Sequence, residues 1–248
     1  QSLIEQQLNG RVNTRFFVRP DAPTTTKTRY VEPAFLTKMF QMSSINDTPL
    51  PADVEQEICH HLAKTIADYD LVFVADYGHG LMTPKIRGLV MEMAKFLSIN
   101  VQTNSANQGY NLVTKYPKAH YISIDEPELR LALSDKYGDI FQLVRRYAQM
   151  HSKETTITIT RGHNGSLTCK GGSEEIVETP CFSTKIVDRV GAGDAYYAVT
   201  SMLAVKDEAL DILGFAGNAA GAMAVEIVCN REPIMKAPYL KFIRAALQ

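Results

Sequence analysis

Hydrophobic and polar residues recur with two different periods along the chain, and the changes between them predict a series of helices and strands. After residue 50 the period is that of an amphipathic helix, because aliphatic side chains recur from Val54 to Ile66 on one face. The apolar run Leu71–Ala75 predicts a buried parallel strand that ends at Asp76. Further helices are predicted near 84–97, 138–150, 193–205, 208–227 and 237–247, and further strands near 99–103, 155–160 and 165–188.

The order of these elements predicts an α/β fold. Strands and helices alternate with short connections, which is typical of a doubly wound, mostly parallel sheet sandwiched by helices. Residues 14–19 and 28–42 favour extended structure, so we expect a small β lid within 14–43. The economical organisation is a single domain over 1–248, with the α/β core in 50–248.

Composition narrows the class of protein. The 248 residues are 45% hydrophobic and 21% charged with a net charge of −1. This balance is ordinary for a globular protein and creates no long-range field toward nucleic acid or an anionic membrane. No apolar run approaches the roughly 18 residues of a membrane span. None of the four cysteines (Cys59, Cys169, Cys181 and Cys229) forms a CxxC pair. We therefore expect free thiols and a cytoplasmic location, with neither nucleic acid nor membrane as a partner.

A glycine-rich turn late in the chain is the strongest candidate for chemistry. Residues 188–195 read Asp-Arg-Val-Gly-Ala-Gly-Asp-Ala and precede an apolar-periodic helix. The backbone N–H groups of Gly191, Ala192 and Gly193 can converge at the helix start, where the helix dipole also favours an anion. Asp194, in the first turn, could then accept the proton of an attacking hydroxyl group. The alternative is an ordinary helix cap after a tight turn.

The pattern D-x-x-G-A-G-D-A at a strand-to-helix junction resembles the signature of the ribokinase/PfkB family of carbohydrate kinases. That family usually has Thr and Phe where this chain has Arg189 and Tyr196. Rival nucleotide motifs are absent, because no third glycine completes a dinucleotide fingerprint and no GxxxxGK[ST] loop occurs. The resemblance implies a ribokinase-like fold, ATP as the phosphoryl donor and Asp194 as the catalytic base, with residues 191–193 as its anion hole.

Two further segments resemble the family's nucleotide site. One turn resembles the T-x-G-x-x-G-[AS] element along the nucleotide phosphates, which implies ATP contacts by Thr160, Gly162 and Gly165. Asn218 lies in a run of small residues that resembles the helix at the adenine site, and Asp188 opens the main signature. Each segment also has a simpler explanation, a β-hairpin for the first and close helix packing for the second.

The segment 123–129 resembles the family's N-x-x-E element, with Asp125 where Asn is usual. The resemblance implies that Asp125 and Glu128 organise Mg²⁺, mostly through water, as suits a hard cation. The alternative is a pair of solvated acids that open a helix beside Pro127. The chain also departs from the family where Asn104 and Ser105 replace the usual D-P-K element.

Two segments resemble the heptose-phosphate kinase branch, the kinase domain of ADP-heptose synthase. Residues 24–29 resemble its T-x-T-K-x-R element on the lid strands, and residues 76–81 resemble D-Y-x-K-G-x. The resemblance implies substrate contacts by Lys27, Asp76 and His79. His79 stands where Lys is usual, so its charge is weaker at neutral pH, and the simpler alternative is a loop residue.

The first third of the family domain, which carries much of the sugar site, has no counterpart in this chain, and the chain opens with Gln1. We therefore expect a processed or truncated kinase domain, and the alternative is a natural protein that diverges from the family. The expected reaction transfers the γ-phosphoryl group of Mg-ATP to a sugar or sugar phosphate. The resemblance also suggests a homodimer through the lid and a fused nucleotidyltransferase domain. Two alternatives stay open: a degenerate kinase fold that binds nucleotide or sugar phosphate without transfer, and an interaction domain without a ligand.

Overall fold

The computed structural model describes residues 2–8, 10–32, 37–183, 186–228 and 231–247. These residues form two compact units. The first unit contains the residues up to Thr65 together with His79–Leu89, and the second contains Ile66–Gly78 and the residues from Val90 onward. Cys229 and residues 33–36 of the predicted lid lie outside the described residues. The expectation of a single domain stays a prediction.

The first unit combines helices with an antiparallel β-ribbon. Its elements are α1 (Ser2–Leu8), β1 (Thr26–Glu32), β2 (Thr37–Ser44), α2 (Ala52–Thr65) and the beginning of α3 (Pro84–Met93). β1 pairs antiparallel with β2, with a bulge between Tyr30 and Val31. The ribbon agrees with the predicted β segment, but residues 14–19, which were expected to be extended, have no regular secondary structure. α2 packs its apolar face against Ile86 of α3.

The second unit is built on a six-stranded sheet. Its elements are β3 (Val72–Asp76), the end of α3, β4 (Leu97–Val101), β5 (Tyr121–Asp125), α4 (Glu126–Ala132), α5 (Ile140–Ala148), β6 (Thr156–Thr160), β7 (Ser166–Lys170), β8 (Val177–Thr179), α6 (Ala192–Ala204), α7 (Leu210–Ala224) and α8 (Lys236–Ala246). The strand order is β3-β4-β5-β6-β7-β8. The first four strands are parallel, and β7 and β8 are antiparallel to their neighbours. The predicted α/β class is confirmed, as a mixed sheet flanked by helices.

The two faces of the sheet are covered in different ways. Isoleucines at alternate strand positions, such as Ile122 and Ile157, are fully buried, and each such burial contributes about 1.5–3 kcal/mol. The positions between them face α6 and carry polar groups. The Tyr121 hydroxyl donates to Thr200 Oγ1 over 2.7 Å, and the hydroxyl of Ser98 bonds to that of Ser201 over 2.7 Å. These bonds fix α6, and with it the candidate site at its N-terminus, against the sheet.

Two predicted boundaries differ from the structure. The helix predicted over 84–97 ends at Met93, because Leu97 already belongs to β4. The strand predicted near 99–103 spans Leu97–Val101, so it ends two residues earlier.

None of the helices within the described part of the chain combines the length and apolarity that a membrane crossing requires.

Candidate active site

The carboxyl ends of the four parallel strands bring polar side chains to one edge of the sheet. Asp76 ends β3, Asp125 ends β5 and Thr160 ends β6, while Gln102 follows the last residue of β4. Parallel strands present these ends on the same side, which is where ligands bind in open α/β sheets. The N-terminus of α6 reaches the same edge, because Asp194 contacts Gln102 there.

The predicted glycine turn forms the start of α6. Gly191 is the N-cap with φ of +87°, a left-handed conformation that strongly favours glycine. The first intrahelical bond runs from the N–H of Ala195 to the carbonyl of Gly191 over 2.9 Å. The N–H groups of Ala192 and Gly193 precede that bond and therefore have no intrahelical acceptor. Among the described residues, no atom lies within 4 Å of the position that a Cβ atom on Gly193 would take, and N–H groups at a helix start favour an anion.

Asp194 is the third residue of α6 and does not cap it. Its Oδ1 atom accepts a hydrogen bond from Gln102 Nε2 over 2.5 Å and a longer one from the Tyr77 hydroxyl over 3.4 Å. Both donors come from the ends of parallel strands. The N-cap residue, Gly191, makes no side-chain bond. The helix-cap alternative therefore does not describe Asp194, whose carboxylate is turned to the sheet edge.

The surroundings of Tyr77, which include Asp194, raise the pKa of its hydroxyl group. Burial, together with the nearby carboxylate, raises the pKa of Tyr77 to about 12. Because the neutral phenol is the form that donates, Tyr77 stays a donor throughout the neutral range.

Asp125 and Glu128 form a capping box at the start of α4. The Asp125 Oδ1 atom accepts from the Glu128 N–H over 2.7 Å, and Glu128 Oε2 accepts from the Asp125 N–H over 2.8 Å. Glu128 Oε1 accepts from the N–H of Thr103 over 2.8 Å. Burial raises the pKa of both carboxyl groups, and the charge of Asp125 contributes to raising the pKa of Glu128 to about 8. A cation would relieve this repulsion.

The same geometry tests whether these residues fit Mg²⁺. Each of the three bonded oxygens of Asp125 and Glu128 accepts one backbone N–H, which leaves further lone pairs on the carboxylates. Within the described residues, no group of three or more His, Cys, Asp or Glu could enclose a metal. The remaining lone pairs are compatible with a Mg²⁺ ion that keeps most of its waters, and the Mg²⁺ role of the pair stays a prediction.

Asp76 is buried at the end of β3 and binds groups from neighbouring segments. Its carboxylate forms an ion pair with Lys115 Nζ at 2.7 Å and accepts from the Tyr116 hydroxyl over 2.7 Å. It also accepts from the N–H of Gly78 over 2.9 Å. Only 3% of Asp76 is exposed, so the observed partners are internal, and a contact with substrate stays a prediction.

The turn predicted to line the nucleotide joins β6 to β7 as a hairpin. Thr160 ends β6, and Gly162 and Gly165 both have positive φ, of 55° and 76°. A Cβ atom on Gly165 would lie 2.0 Å from the carbonyl oxygen of Thr179, so only glycine fits there. The hairpin agrees with the simpler alternative, and it leaves open a contact of this turn with nucleotide.

Asn218 and Asp188 hold the backbone around the start of α6 and the end of β8. The buried amide of Asn218 donates to the carbonyls of Thr179 and Pro180, over 3.0 Å each. Asp188 Oδ1 accepts from the N–H of Val190 over 3.0 Å, just before the glycine turn. Both side chains thus support the loops where nucleotide contacts are predicted.

Lys27 and His79 belong to the first unit. Lys27 lies on β1 opposite Ser43, and His79 follows Gly78. Asp194 and the strand ends belong to the second unit, so the substrate contacts of Lys27 and His79 stay predictions.

The sequence did not single out Gln102 as a site residue. The predicted strand over 99–103 placed it inside the sheet, whereas β4 ends at Val101. The usable signal is positional: the residue directly after a parallel strand lies at the ligand-binding edge. Tyr77, which follows β3, meets the same criterion.

Comparisons with known proteins identify the family of this chain. The family model "pfkB family carbohydrate kinase" matches residues 2–233. Among curated relatives, the Bifunctional protein HldE of Rhodopseudomonas palustris (strain BisA53) is 26% identical over 209 residues, which cover 83% of this chain and 42% of that protein. The HldE protein of Geobacter metallireducens is 27% identical over 209 residues, covering 83% and 41%. The chain thus spans less than half the length of these relatives.

Solved structures share the fold. Ribokinase from Thermotoga maritima has a TM-score of 0.68 at 14% identity, covering 92% of this chain and 72% of that one. Phosphofructokinase-2 from Escherichia coli in complex with potassium has a TM-score of 0.65 at 15% identity, covering 84% and 67%. Arabidopsis thaliana ribokinase complexed with ribose and ATP has a TM-score of 0.62 at 15% identity, covering 90% and 70%. These matches confirm the predicted ribokinase-like fold.

Proposed function

Because the chain belongs to the pfkB family of carbohydrate kinases, we propose that it transfers the γ-phosphoryl group of ATP to a hydroxyl group of a sugar or sugar phosphate. The position of Asp194 carries this proposal. Its carboxylate stands beside the open N-terminus of α6 and bonds to side chains from two parallel strand ends. A proton acceptor and an anion site thus lie side by side, as phosphoryl transfer requires.

In the proposed mechanism, Asp194 accepts the proton of the acceptor hydroxyl as the oxygen attacks the γ-phosphorus. The bond between that phosphorus and the bridging oxygen of ADP breaks, and ADP leaves with the electron pair. The N–H groups of Ala192 and Gly193, with the turn at Gly191, stabilise the negative oxygens of the group in transfer. These donors are fixed before the reaction, so they need no reorganisation during it.

ATP is the expected donor of this family, and one structural neighbour is a ribokinase complexed with ribose and ATP. We assign the nucleotide phosphates to the turn at Thr160, Gly162 and Gly165. Asn218 and Asp188 would support the nucleotide site indirectly, because their side chains bond to protein backbone.

Asp125 and Glu128 would hold hydrated Mg²⁺, which would neutralise phosphate charge when it is bound. A bound cation would favour the charged forms of both carboxyl groups, whose pKa burial raises in its absence.

For the acceptor, we propose a heptose phosphate bound by Lys27, Asp76 and His79. The support is the likeness of residues 24–29 and 76–81 to the heptose-phosphate kinase branch, and the matches to HldE proteins. Those relatives are named bifunctional, which supports a fused nucleotidyltransferase domain in the natural protein. The ribbon exposes Met39, Phe40 and Met42, which supports a homodimer through the lid.

The test is ADP release by the full-length gene product with Mg-ATP and a panel of hexoses, heptoses and their phosphates. Asp194→Asn should lower kcat by about 10²–10⁴-fold, because the base is lost while the shape is kept. Asp211→Asn is the matched control, since Asp211 is an exposed aspartate in the first turn of α7, and it should keep normal turnover. An Asp194→Asn variant with near-normal kcat would sink the assignment.

The same assay addresses the alternative of a degenerate kinase fold, which Asp125 and His79 favour because each departs from the family pattern. Calorimetric binding of Mg-ATP, with no ADP release for any sugar in the panel and no effect of Asp194→Asn, would replace the kinase proposal with a binding module.

A further inference from the structure

Two side chains hold the same oxygen of Asp194. Gln102 Nε2 lies 2.5 Å from Oδ1 and the Tyr77 hydroxyl lies 3.4 Å from it. Gln102 is 92 positions and Tyr77 is 117 positions before Asp194, so the fold, not the local sequence, assembles this contact. Both partners of this oxygen are uncharged donors, an amide and a phenol.

The backbone that carries Gln102 is itself fixed. Its N–H donates to the carbonyl of Asp76 over 2.9 Å, and its carbonyl accepts from Asn111 Nδ2 over 3.0 Å. The next residue, Thr103, donates its N–H to Glu128 Oε1 over 2.8 Å. The Gln102 side chain therefore extends from a backbone anchored to β3, to the loop after β4 and to α4.

The backbone that carries Tyr77 is fixed in a similar way. Its carbonyl accepts from Asn104 Nδ2 and from Asn107 Nδ2, over 2.9 Å each. The phenol stays protonated through the neutral range, since burial and the charge of Asp194 raise its pKa to about 12. Tyr77 is therefore a permanent donor, although its contact with Asp194 is longer than that of Gln102.

A carboxylate rotates about the bond to its Cβ atom, and terminal torsions of this kind are soft. Donors on one oxygen restrict this rotation and leave the other oxygen as the acceptor for a proton. A donor without charge suits this task, because a lysine in its place would form an ion pair with the base and compete for its proton.

We propose that Gln102, assisted by Tyr77, is a positioning residue that holds Oδ1 of Asp194 and so directs Oδ2 to the acceptor hydroxyl. This inference rests on the proposed kinase function and adds residues outside the glycine turn to its machinery.

The experiment compares kcat and KM of Gln102→Met and Tyr77→Phe with those of the full-length wild-type protein. A hydrogen bond to a charged group is worth about 1.5–3 kcal/mol, which corresponds to about 10–150-fold. Gln102→Met should lower kcat within that range, and Tyr77→Phe by about 2–10-fold because its bond is longer. KM for ATP and for the sugar should change by less than about 3-fold, since neither side chain is assigned to binding.

Matched controls are Gln56→Met on the exposed face of α2 and Tyr137→Phe, whose side chain is 87% exposed. Both should leave kcat and KM unchanged. Gln102→Asn keeps the amide but moves it away from Asp194 by one methylene, so it should lower kcat as much as Gln102→Met. It serves as a second variant if the methionine variant does not fold.

A double variant separates positioning from general damage to the fold. If Gln102 acts through Asp194, Gln102→Met should lower the residual kcat of Asp194→Asn by less than about 2-fold. A further tenfold loss in that background would overturn the positioning role, and so would normal kcat in Gln102→Met with an active wild type. A wild-type protein that transfers no phosphoryl group to any sugar would instead overturn the proposed function, and the positioning role with it.

Discussion

The close packing of α7 against α6 allows a sharp test of the structure through Gly217→Ala. A Cβ atom at Gly217 would lie 2.4 Å from Cε2 of Tyr196 and 2.7 Å from Cγ2 of Thr200. Carbon atoms in contact prefer about 3.5–4.0 Å, so the ring must move by about 1 Å. That ring is buried, and its hydroxyl group bonds to Ser166 Oγ over 3.1 Å. The new methyl group therefore has no soft neighbour.

The expected cost follows from two opposing effects. Overpacking of a core costs about 1–3 kcal/mol, and the fixed Tyr196 ring places this site near the upper value. Alanine is favoured over glycine inside a helix by about 1 kcal/mol. The free energy of unfolding of Gly217→Ala should thus fall by about 2 kcal/mol, which lowers Tm by about 4–8 °C for a chain of this size.

Gly221, one turn later in α7, provides the matched control. Its Cβ atom would find its nearest neighbour, the carbonyl oxygen of Ala192, at 3.8 Å, which is an ordinary contact. Gly221→Ala should therefore keep the gain in helix propensity and raise Tm by about 1–4 °C. Thermal unfolding of both variants by circular dichroism in one buffer is the assay. A Gly217→Ala protein that melts at or above the wild-type temperature would refute the packing argument.

Two further variants test the buried charges. Asp76→Asn should lower the free energy of unfolding by about 2–4 kcal/mol, because Lys115 loses a buried carboxylate 2.7 Å away. Asp207→Asn, at an exposed ion pair, is the control and should not change Tm. Equal Tm values for the two variants would contradict the reasoning. The pKa of Glu128 is raised to about 8 by burial and by Asp125, so its contribution to stability is complete below pH 4.5 and is lost as pH rises through 8. Glu128→Gln should therefore flatten the fall in the free energy of unfolding across that window, measured by urea titration at several pH values, and an unchanged slope would refute it.

The sequence predicted those elements whose signal is local. β3 was recognisable because buried parallel strands are almost continuously apolar, and β6 because it consists of β-branched Thr and Ile residues. The start of α6 was recognisable from its glycines and the apolar period that follows. β5 was not predicted, because Tyr121–Asp125 runs into α4 without a turn between them. The end of α3 was placed too late, since Leu97 continues the helical period although it belongs to β4.

The candidate site shows a similar division. Gly191 and Asp194 lie within one short motif, so a single segment predicted their proximity. The bond between Gln102 and Asp194 joins residues 92 positions apart, and it depends on the register of parallel strands and on the depth at which α6 packs. No local pattern contains that information. The capping box of Asp125 and Glu128 lies between these cases. Its spacing can be read from a short segment, but its burial depends on the packing of distant parts of the chain.

The order of strands in the sheet, which repeats their order along the chain, has a consequence for folding kinetics. Each strand of the sheet can pair with the strand just before it, so the entropy of closing long loops is low while the sheet grows. α6 follows all six strands, and its contact with Tyr77 closes a loop of 117 positions. Asp194, the proposed proton acceptor, is therefore expected to join Tyr77 only after the sheet has grown, and a chain arrested before that step would have a nearly complete sheet without the proposed base.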